Sequence, residues 1–150
     1  MKLLAGAAVV ALIALVALRA GSGAPDCPGK VAIRFGAGDS RVCATGPVLG
    51  CFDEGTGSDV CHDGEPRADP RRPLRVVGGE EVAVRLREDA TSLAAFVGER
   101  PLRVEGDGGR DWSVTLPDPL PGGALELGVS AQLERPAGAV HAVRVMLEAR

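Results

Sequence analysis

The chain has 150 residues and a formal net charge of −3 at pH 7, a length that suits one ordinary domain plus a targeting segment. This weakly acidic balance excludes the global positive field typical of nucleic-acid-binding domains, so we expect no nucleic acid partner. One Trp, three Phe and no Tyr are too few for a platform of aromatic rings that stacks on sugars or bases.

The N-terminal segment is strongly apolar. Lys2 precedes an uninterrupted run of Leu, Ala, Val and Ile with one Gly over residues 3–18. This pattern predicts a secretory signal peptide, and its length also allows a retained single-span anchor. Small residues follow it and suit cleavage, but Pro25 fits a peptidase site poorly. We assign residues 1–24 to a signal peptide or membrane anchor and expect the remainder to be extracytoplasmic, either secreted or anchored to the cell membrane.

All four cysteines follow this segment closely, at Cys27, Cys43, Cys51 and Cys61. Clustered cysteines behind an export segment predict disulfide bonds. Three connectivities are possible, and we favour Cys27 with Cys43 and Cys51 with Cys61 because these pairs close short loops. A zinc site with His62 is the alternative, but the spacing contains no Cys-x-x-Cys pair and the metal signal is weak.

Residues 25–64 are predicted to form a small disulfide-clipped segment of strand and loop. Lys30 to Phe35 alternates as a short strand, and residues 36–39 are expected to turn. Residues 45–63 are dominated by Gly, Asp and small side chains, which predicts a disulfide-closed loop whose backbone needs positive dihedral angles.

This loop carries several carboxylates, and hard oxygen ligands of this kind suit Ca²⁺. The acidic residues are Asp53, Glu54, Asp59 and Asp63. Their spacing fits no EF-hand, and solvated carboxylates are the simpler interpretation, so we favour no metal and no cofactor. Binding of calcium or a small ligand by the loop from Cys51 to Asp63 remains the alternative function.

Residues 65–73 carry three prolines and are predicted to be an extended, semi-rigid linker. Within and just after it lies a basic stretch formed by Arg67, Arg71, Arg72 and Arg75. Such a stretch could contact an anionic lipid or wall polymer. A solvated linker is the simpler interpretation.

Residues 74–150 show repeated period-two segments separated by turn residues, which predicts an all-β domain. The seven candidate strands are Leu74–Val77, Glu81–Arg87, Leu93–Val97, Leu102–Glu105, Asp111–Leu116, Ala124–Glu134 and Val140–Ala149. A Gly-rich turn at 106–109 and a Pro-rich connection at 117–123 separate the later strands. Their number and spacing favour a seven-strand immunoglobulin-like sandwich.

Alternation within these strands also predicts which side chains face the core. The predicted core comprises Val82, Val84, Leu86, Trp112, Val114, Leu116, Leu125, Leu127, Val129, Val143, Val145 and Leu147. His141 is in phase with Val143, which predicts a partly buried residue at the end of a strand rather than a ligand. His62 is expected in an exposed loop.

Two motifs carry a resemblance to a known family. Residues 112–117 are Trp-Ser-Val-Thr-Leu-Pro, residues 120–123 are Leu-Pro-Gly-Gly, and the Cys51–Cys61 clip precedes them. With these residues, the sequence over 50–150 resembles the Ig-like domains of uncharacterised exported proteins from high-GC bacteria. The resemblance implies an Ig-like β-sandwich and no particular activity or site. The cysteines that join the two sheets of antibody domains are missing here, since all four cysteines lie upstream.

Sequence motifs for catalysis are absent. The sequence contains no Gly-x-Ser-x-Gly, no His-Glu-x-x-His and no complete phosphate-binding glycine motif. We therefore expect a non-enzymatic structural or interaction module of the cell envelope, whose partner is another envelope protein or the membrane surface. A hydrolase with an unrecognised site is the remote alternative.

Overall fold

The computed structural model describes residues 27–28, 33–44, 49–53, 59–135 and 139–150, with the backbone alone at 49–53 and 59–63. Within these ranges the chain is all-β and contains no helix, which confirms the predicted class. It follows that no described helix is long and apolar enough to cross a membrane. The apolar segment 1–24 lies outside the described residues.

The strands are numbered in chain order. They are β1 (Ile33–Ala37), β2 (Ser40–Cys43), β3 (Leu49–Asp53), β4 (Asp59–Asp63), β5 (Leu74–Val76), β6 (Glu81–Val97), β7 (Arg100–Pro101), β8 (Arg103–Glu105), β9 (Gly109–Thr115), β10 (Leu125–Leu133) and β11 (Val140–Ala149).

Hydrogen bonds join all of these strands into one sheet that curls until it is nearly closed. Its main path runs β2–β1–β6–β10–β11–β3–β4. Strands β7 and β9 pair with β6, β8 pairs with β9, and β5 lies parallel to the end of β11. Strand β5 in turn reaches β2, where the Arg75 N–H donates to Ser40 Oγ at 3.1 Å.

Strand β6 is continuous, so the prediction of two strands over Glu81–Arg87 and Leu93–Val97 is wrong. Its first half pairs with β1 and β9, and its second half pairs with β10. A bulge lets Gln132 face Ser92 while the next residue of β10 faces Ala90, so Thr91 is the extra residue. The exposed residues just before it have the sequence of a turn, and the pairing of β6 with β9 is interrupted between Arg85 and Ala90. Asp89 O still accepts the Glu134 N–H at 2.9 Å.

Residues 49–53 and 59–63 form strands, so the prediction of a loop over 45–63 is wrong in these two ranges. Strands β3 and β4 form an antiparallel pair in which Leu49 faces Asp63 and Cys51 faces Cys61. Since the sequence alternates poorly there, ladder hydrogen bonds of the backbone rather than side-chain pattern define these strands. A smaller difference is that Leu102–Glu105 does not form one strand: β8 begins at Arg103, and the Leu102 N–H donates to Ala95 O at 2.9 Å.

The core lies inside the curled sheet. All of the predicted core residues are buried except Leu125, which is half-buried and packs against the others. Ile33 and Phe35 of β1 belong to the same cluster, and Phe35 faces Val84 across the β1–β6 pair. The first strand of segment 25–64 therefore shares both a sheet and a core with residues 74–150.

Candidate functional site

A groove of about 790 Å³ lies where β2, the start of β5 and the end of β11 come together. It is lined by residues 28, 39–43, 71–73, 75 and 150. Its charged lining consists of one aspartate, Asp39, and five arginines, which are Arg41, Arg71, Arg72, Arg75 and Arg150. We call this feature the arginine groove.

Main-chain pairing brings these distant residues together. Strand β5 runs parallel to β11, with Ala149 opposite Val76, and the Arg150 N–H donates to Val76 O at 2.9 Å. The bond from the Arg75 N–H to Ser40 Oγ, at 3.1 Å, links β5 to β2. The wall of the groove is therefore held by the sheet itself.

A disulfide bond fixes one end of the groove. Cys27 and Cys43 are bonded, with their Cα atoms 5.5 Å apart, as the sequence predicted. Pro28 and Cys43 both line the groove. The Arg87 Nη2 donates to Cys27 O at 3.1 Å, and this bond connects Cys27 to β6 as well. The chain thus enters the fold beside the arginine groove.

Two of the guanidinium groups gather at Gly38, in the turn between β1 and β2. The Arg41 Nη1 donates to Gly38 O at 2.6 Å and to Ser40 O at 2.9 Å. A Cβ atom on Gly38 would lie 3.0 Å from both Nη atoms of Arg150. The turn adopts a positive φ of 49° there, so glycine meets both the steric and the backbone requirement.

Charge compensation in the groove is uneven. Three arginines face carboxylates: Arg150 with Glu80 at 2.7 Å, Arg75 with Glu148 at 3.8 Å and Arg71 with Asp69 at 3.9 Å. Arg41 and Arg72 form no ion pair with any residue that the structure describes. Exposed cations without a carboxylate partner are available to an anion from outside.

Glu80 is the carboxylate most firmly held at this site. Burial tends to raise its pKa, but the Val77 N–H, the hydrogen bond from Arg150 and the Arg150 charge together lower the pKa below its ordinary value. The side chain is therefore ionised at neutral pH, and it holds the Arg150 guanidinium in place.

Only three of the four arginines in the basic stretch predicted from the sequence line the arginine groove. Arg71, Arg72 and Arg75 line the groove, whereas Arg67 faces Glu65 at 3.6 Å and does not line it. Arg41 and Arg150 complete the site and were missed. Their sequence neighbours carry no sign that they converge, since the convergence depends on pairing between distant strands.

The other candidate residues lie elsewhere or outside the described side chains. His141 is buried, with 5% of its surface exposed. Trp112 is also buried, and its Nε1 donates to Gly109 O at 3.1 Å. The structure does not describe Glu54. It also does not describe the side chains of six other candidates, which are Cys51, Asp53, Asp59, Cys61, His62 and Asp63. Among the described residues no group of three or more potential ligands forms a metal site.

Comparison with known proteins gives no further guide to the site. The chain matches no protein-family model, no curated protein and no solved structure. The function is therefore inferred from the geometry and chemistry of the chain itself.

Proposed function

We propose that this chain is an exported or membrane-anchored protein of the cell envelope. In this proposal it acts as a non-enzymatic interaction module, and the arginine groove is its contact surface for an anionic partner. The observation that carries the proposal is the convergence of five arginines on one groove in a chain whose overall charge is −3.

The extracytoplasmic location is supported by two independent features. The apolar run at 3–18 has the form of an export or anchor segment. The Cys27–Cys43 disulfide is of the kind that persists in oxidising compartments and is rare in the cytosol. The register of β3 and β4, which sets Cys51 opposite Cys61, favours a second bond, because directly opposed strand residues lie within disulfide range.

The choice of arginine supports an anionic partner. The guanidinium group is planar, permanently charged and able to donate two parallel hydrogen bonds to a carboxylate or phosphate. Arginine accounts for 15 of the 17 basic residues of the chain, so the support lies in the convergence of five of them on one groove. Arg41 and Arg72 lack carboxylate partners among the described residues, so they are the positions at which we place the incoming anion.

The immunoglobulin-like plan is the architectural part of the proposal. Its support is the buried indole of Trp112, the antiparallel β10–β11 hairpin and the number of strands predicted over residues 74–150. The described strands join into one nearly closed sheet, so the plan requires this sheet to divide into two packed layers, which a crystal structure would reveal. A closed barrel with a continuous ring of strand pairs would contradict it.

Location and pairing are tested together by fractionating cells that produce the full chain and mapping its cysteine peptides without reduction. We expect the chain in the membrane or secreted fraction, with Cys27 linked to Cys43 and Cys51 to Cys61. Cytosolic protein with four free thiols would overturn the proposal.

Anion binding is tested separately by the salt concentration that elutes the purified chain from phosphocellulose. The variant R41Q/R72Q should elute at lower salt than the parent. The control R100Q/R135Q removes the same charge at two exposed arginines that do not line the groove, and it should elute later than R41Q/R72Q. Equal elution of the two variants would contradict the groove as the contact surface.

A further inference from the structure

The short stretch of sequence between the N-terminal apolar run and the arginine groove indicates which anion the groove binds. We infer that the groove binds the phosphates of anionic lipid headgroups at the membrane to which residues 1–24 attach. This inference rests on the membrane-anchored form of the proposed function. It adds a ligand class, a lipid phosphate, and a defined orientation of the domain on the membrane.

Covalent geometry limits how far the groove can lie from the membrane surface. The apolar run ends at residue 18, and Cys27 is bonded to Cys43 in the wall of the groove. The nine residues from the end of the run to Cys27 span at most about 30 Å when fully extended. The headgroup region on one side of a bilayer is itself about 5–8 Å thick. An anchored chain therefore enters the fold within reach of the headgroups, at the end of the groove that Pro28 and Cys43 line.

The charges of the groove suit a surface rich in phosphate. Arg41 and Arg72 have no ion-pair partner among the described residues, so no described carboxylate competes with an incoming phosphate for their charge. Arg41 donates to Gly38 O and Ser40 O through Nη1 alone, which leaves its other guanidinium N–H groups for a phosphate. The pairs of Arg71 with Asp69 and of Arg75 with Glu148 are long, at 3.9 and 3.8 Å, and their arginine side chains are largely exposed. Exposed pairs of this kind hold their partners weakly, so both arginines can turn to a phosphate. Arg150 stays fixed by Glu80 and supplies a constant positive charge.

The range of the interaction is shorter than the tether, so the groove is attracted only where its face lies against the membrane. Attraction between basic residues and an anionic bilayer falls off within a Debye length, which is about 8 Å at physiological ionic strength. The tether lets the groove reach the headgroups, where its arginines come inside this range, whereas the arginines at 100 and 135 belong to other parts of the fold. The tether joins the fold beside the arginine groove, and the unpaired arginines lie in that groove. Both features therefore favour an orientation in which the arginine groove faces the membrane.

The test uses amide hydrogen exchange of the full chain in lipid nanodiscs. One set of discs contains phosphatidylcholine alone, and the other contains phosphatidylcholine with phosphatidylglycerol. We expect exchange at residues 40–43 and 71–75 to slow at least about fivefold in the anionic discs, the effect of roughly one basic residue at a charged surface. High salt should remove the difference.

Matched variants locate the effect. R41Q/R72Q should lose the lipid-dependent protection, and R100Q/R135Q should keep it, although both carry the same net charge. Equal exchange of the parent in the two kinds of disc would overturn the inference, whether or not the variants fold. So would equal loss of protection in the two variants.

Further outcomes distinguish lipid binding from binding of a wall polymer and from failure of the proposed membrane attachment. Protection by soluble inorganic polyphosphate, with none from anionic discs, would overturn the lipid assignment in favour of a wall polymer. Failure of the chain to co-purify with phosphatidylcholine discs would contradict membrane attachment in the proposed function. Attachment without lipid-dependent protection would overturn the groove assignment alone.

Discussion

The Arg150 guanidinium donates through Nη2 to both carboxylate oxygens of Glu80, at 2.7 and 2.9 Å. Glu80 Oε2 also accepts the Val77 N–H at 2.8 Å. One carboxylate therefore connects the end of β11 with the turn that leads into β6, and it fixes one wall of the arginine groove. Because these interactions require the ionised form, they make the groove sensitive to acid.

We expect Glu80→Gln to lower the free energy of unfolding by about 1 kcal/mol at neutral pH, since it weakens a charge-assisted hydrogen bond at a partly exposed site. The pKa of Glu80 is lowered by folding. Its stabilisation is therefore present above the pKa of the unfolded chain and is lost as the pH falls through the folded-state pKa. Urea unfolding over an acidic pH series should show the gap between parent and E80Q closing.

The matched control for this experiment is Glu99→Gln. Glu99 is exposed and forms no ion pair with the described part of the chain, so its replacement should leave stability nearly unchanged at every pH. A gap between parent and E80Q that stays constant as the pH falls would contradict the assigned role of the carboxylate.

The Cys27–Cys43 bond, with a sequence separation of 16, should also contribute to stability. On the chain-entropy model, the double variant C27S/C43S should lose about 3 kcal/mol. Guanidinium unfolding followed by Trp112 fluorescence measures this loss, because Trp112 lies in β9 and reports on the main core. An unchanged midpoint would show that the bond does not constrain the unfolded chain.

Much of the core could be predicted from the sequence, because alternation within a strand depends only on neighbouring residues. Val82 and Val84, like Trp112 and Val114, are all buried, as their period-two pattern predicted. Continuity of β6 through Thr91 could not be predicted in this way. It depends on β10, whose Gln132 and Leu133 pair on either side of the bulge.

The arginine groove shows the same division between local and long-range information. Arg71, Arg72 and Arg75 lie close together in sequence, so the basic stretch was visible. Arg41 and Arg150 join them through the pairing of β5 with β11 and the bond from the Arg75 N–H to Ser40 Oγ of β2, which link residues far apart in the chain. No local pattern encodes that pairing, and the site could not have been assembled from the sequence alone.

Phe35 tests whether segment 25–64 folds with the rest of the chain. It is completely buried and faces Val84 of β6. Phe35→Ala should therefore cost about 3–5 kcal/mol and shift the single unfolding transition reported by Trp112. An independent segment would leave that transition in place.

Phe96 offers the matched control, because it undergoes the same side-chain change at a site that is 39% exposed. Phe96→Ala should cost clearly less than Phe35→Ala, since truncation there opens no buried cavity. Equal losses in the two variants would contradict the shared core.

Gly106 and the indole of Trp112 make the sharpest steric prediction. A Cβ atom on Gly106 would overlap the indole, lying 2.8 Å from its Cδ2. Gly106→Ala should therefore displace the ring and cost about 1–3 kcal/mol, as overpacking of a core usually does. The emission of the sole Trp should shift to the red as the ring becomes more exposed. Gly122→Ala is the control, because a Cβ there meets nothing within 4 Å, and its melting temperature and emission should match the parent. Parent-like melting and emission of G106A would show that the ring does not pack on this glycine.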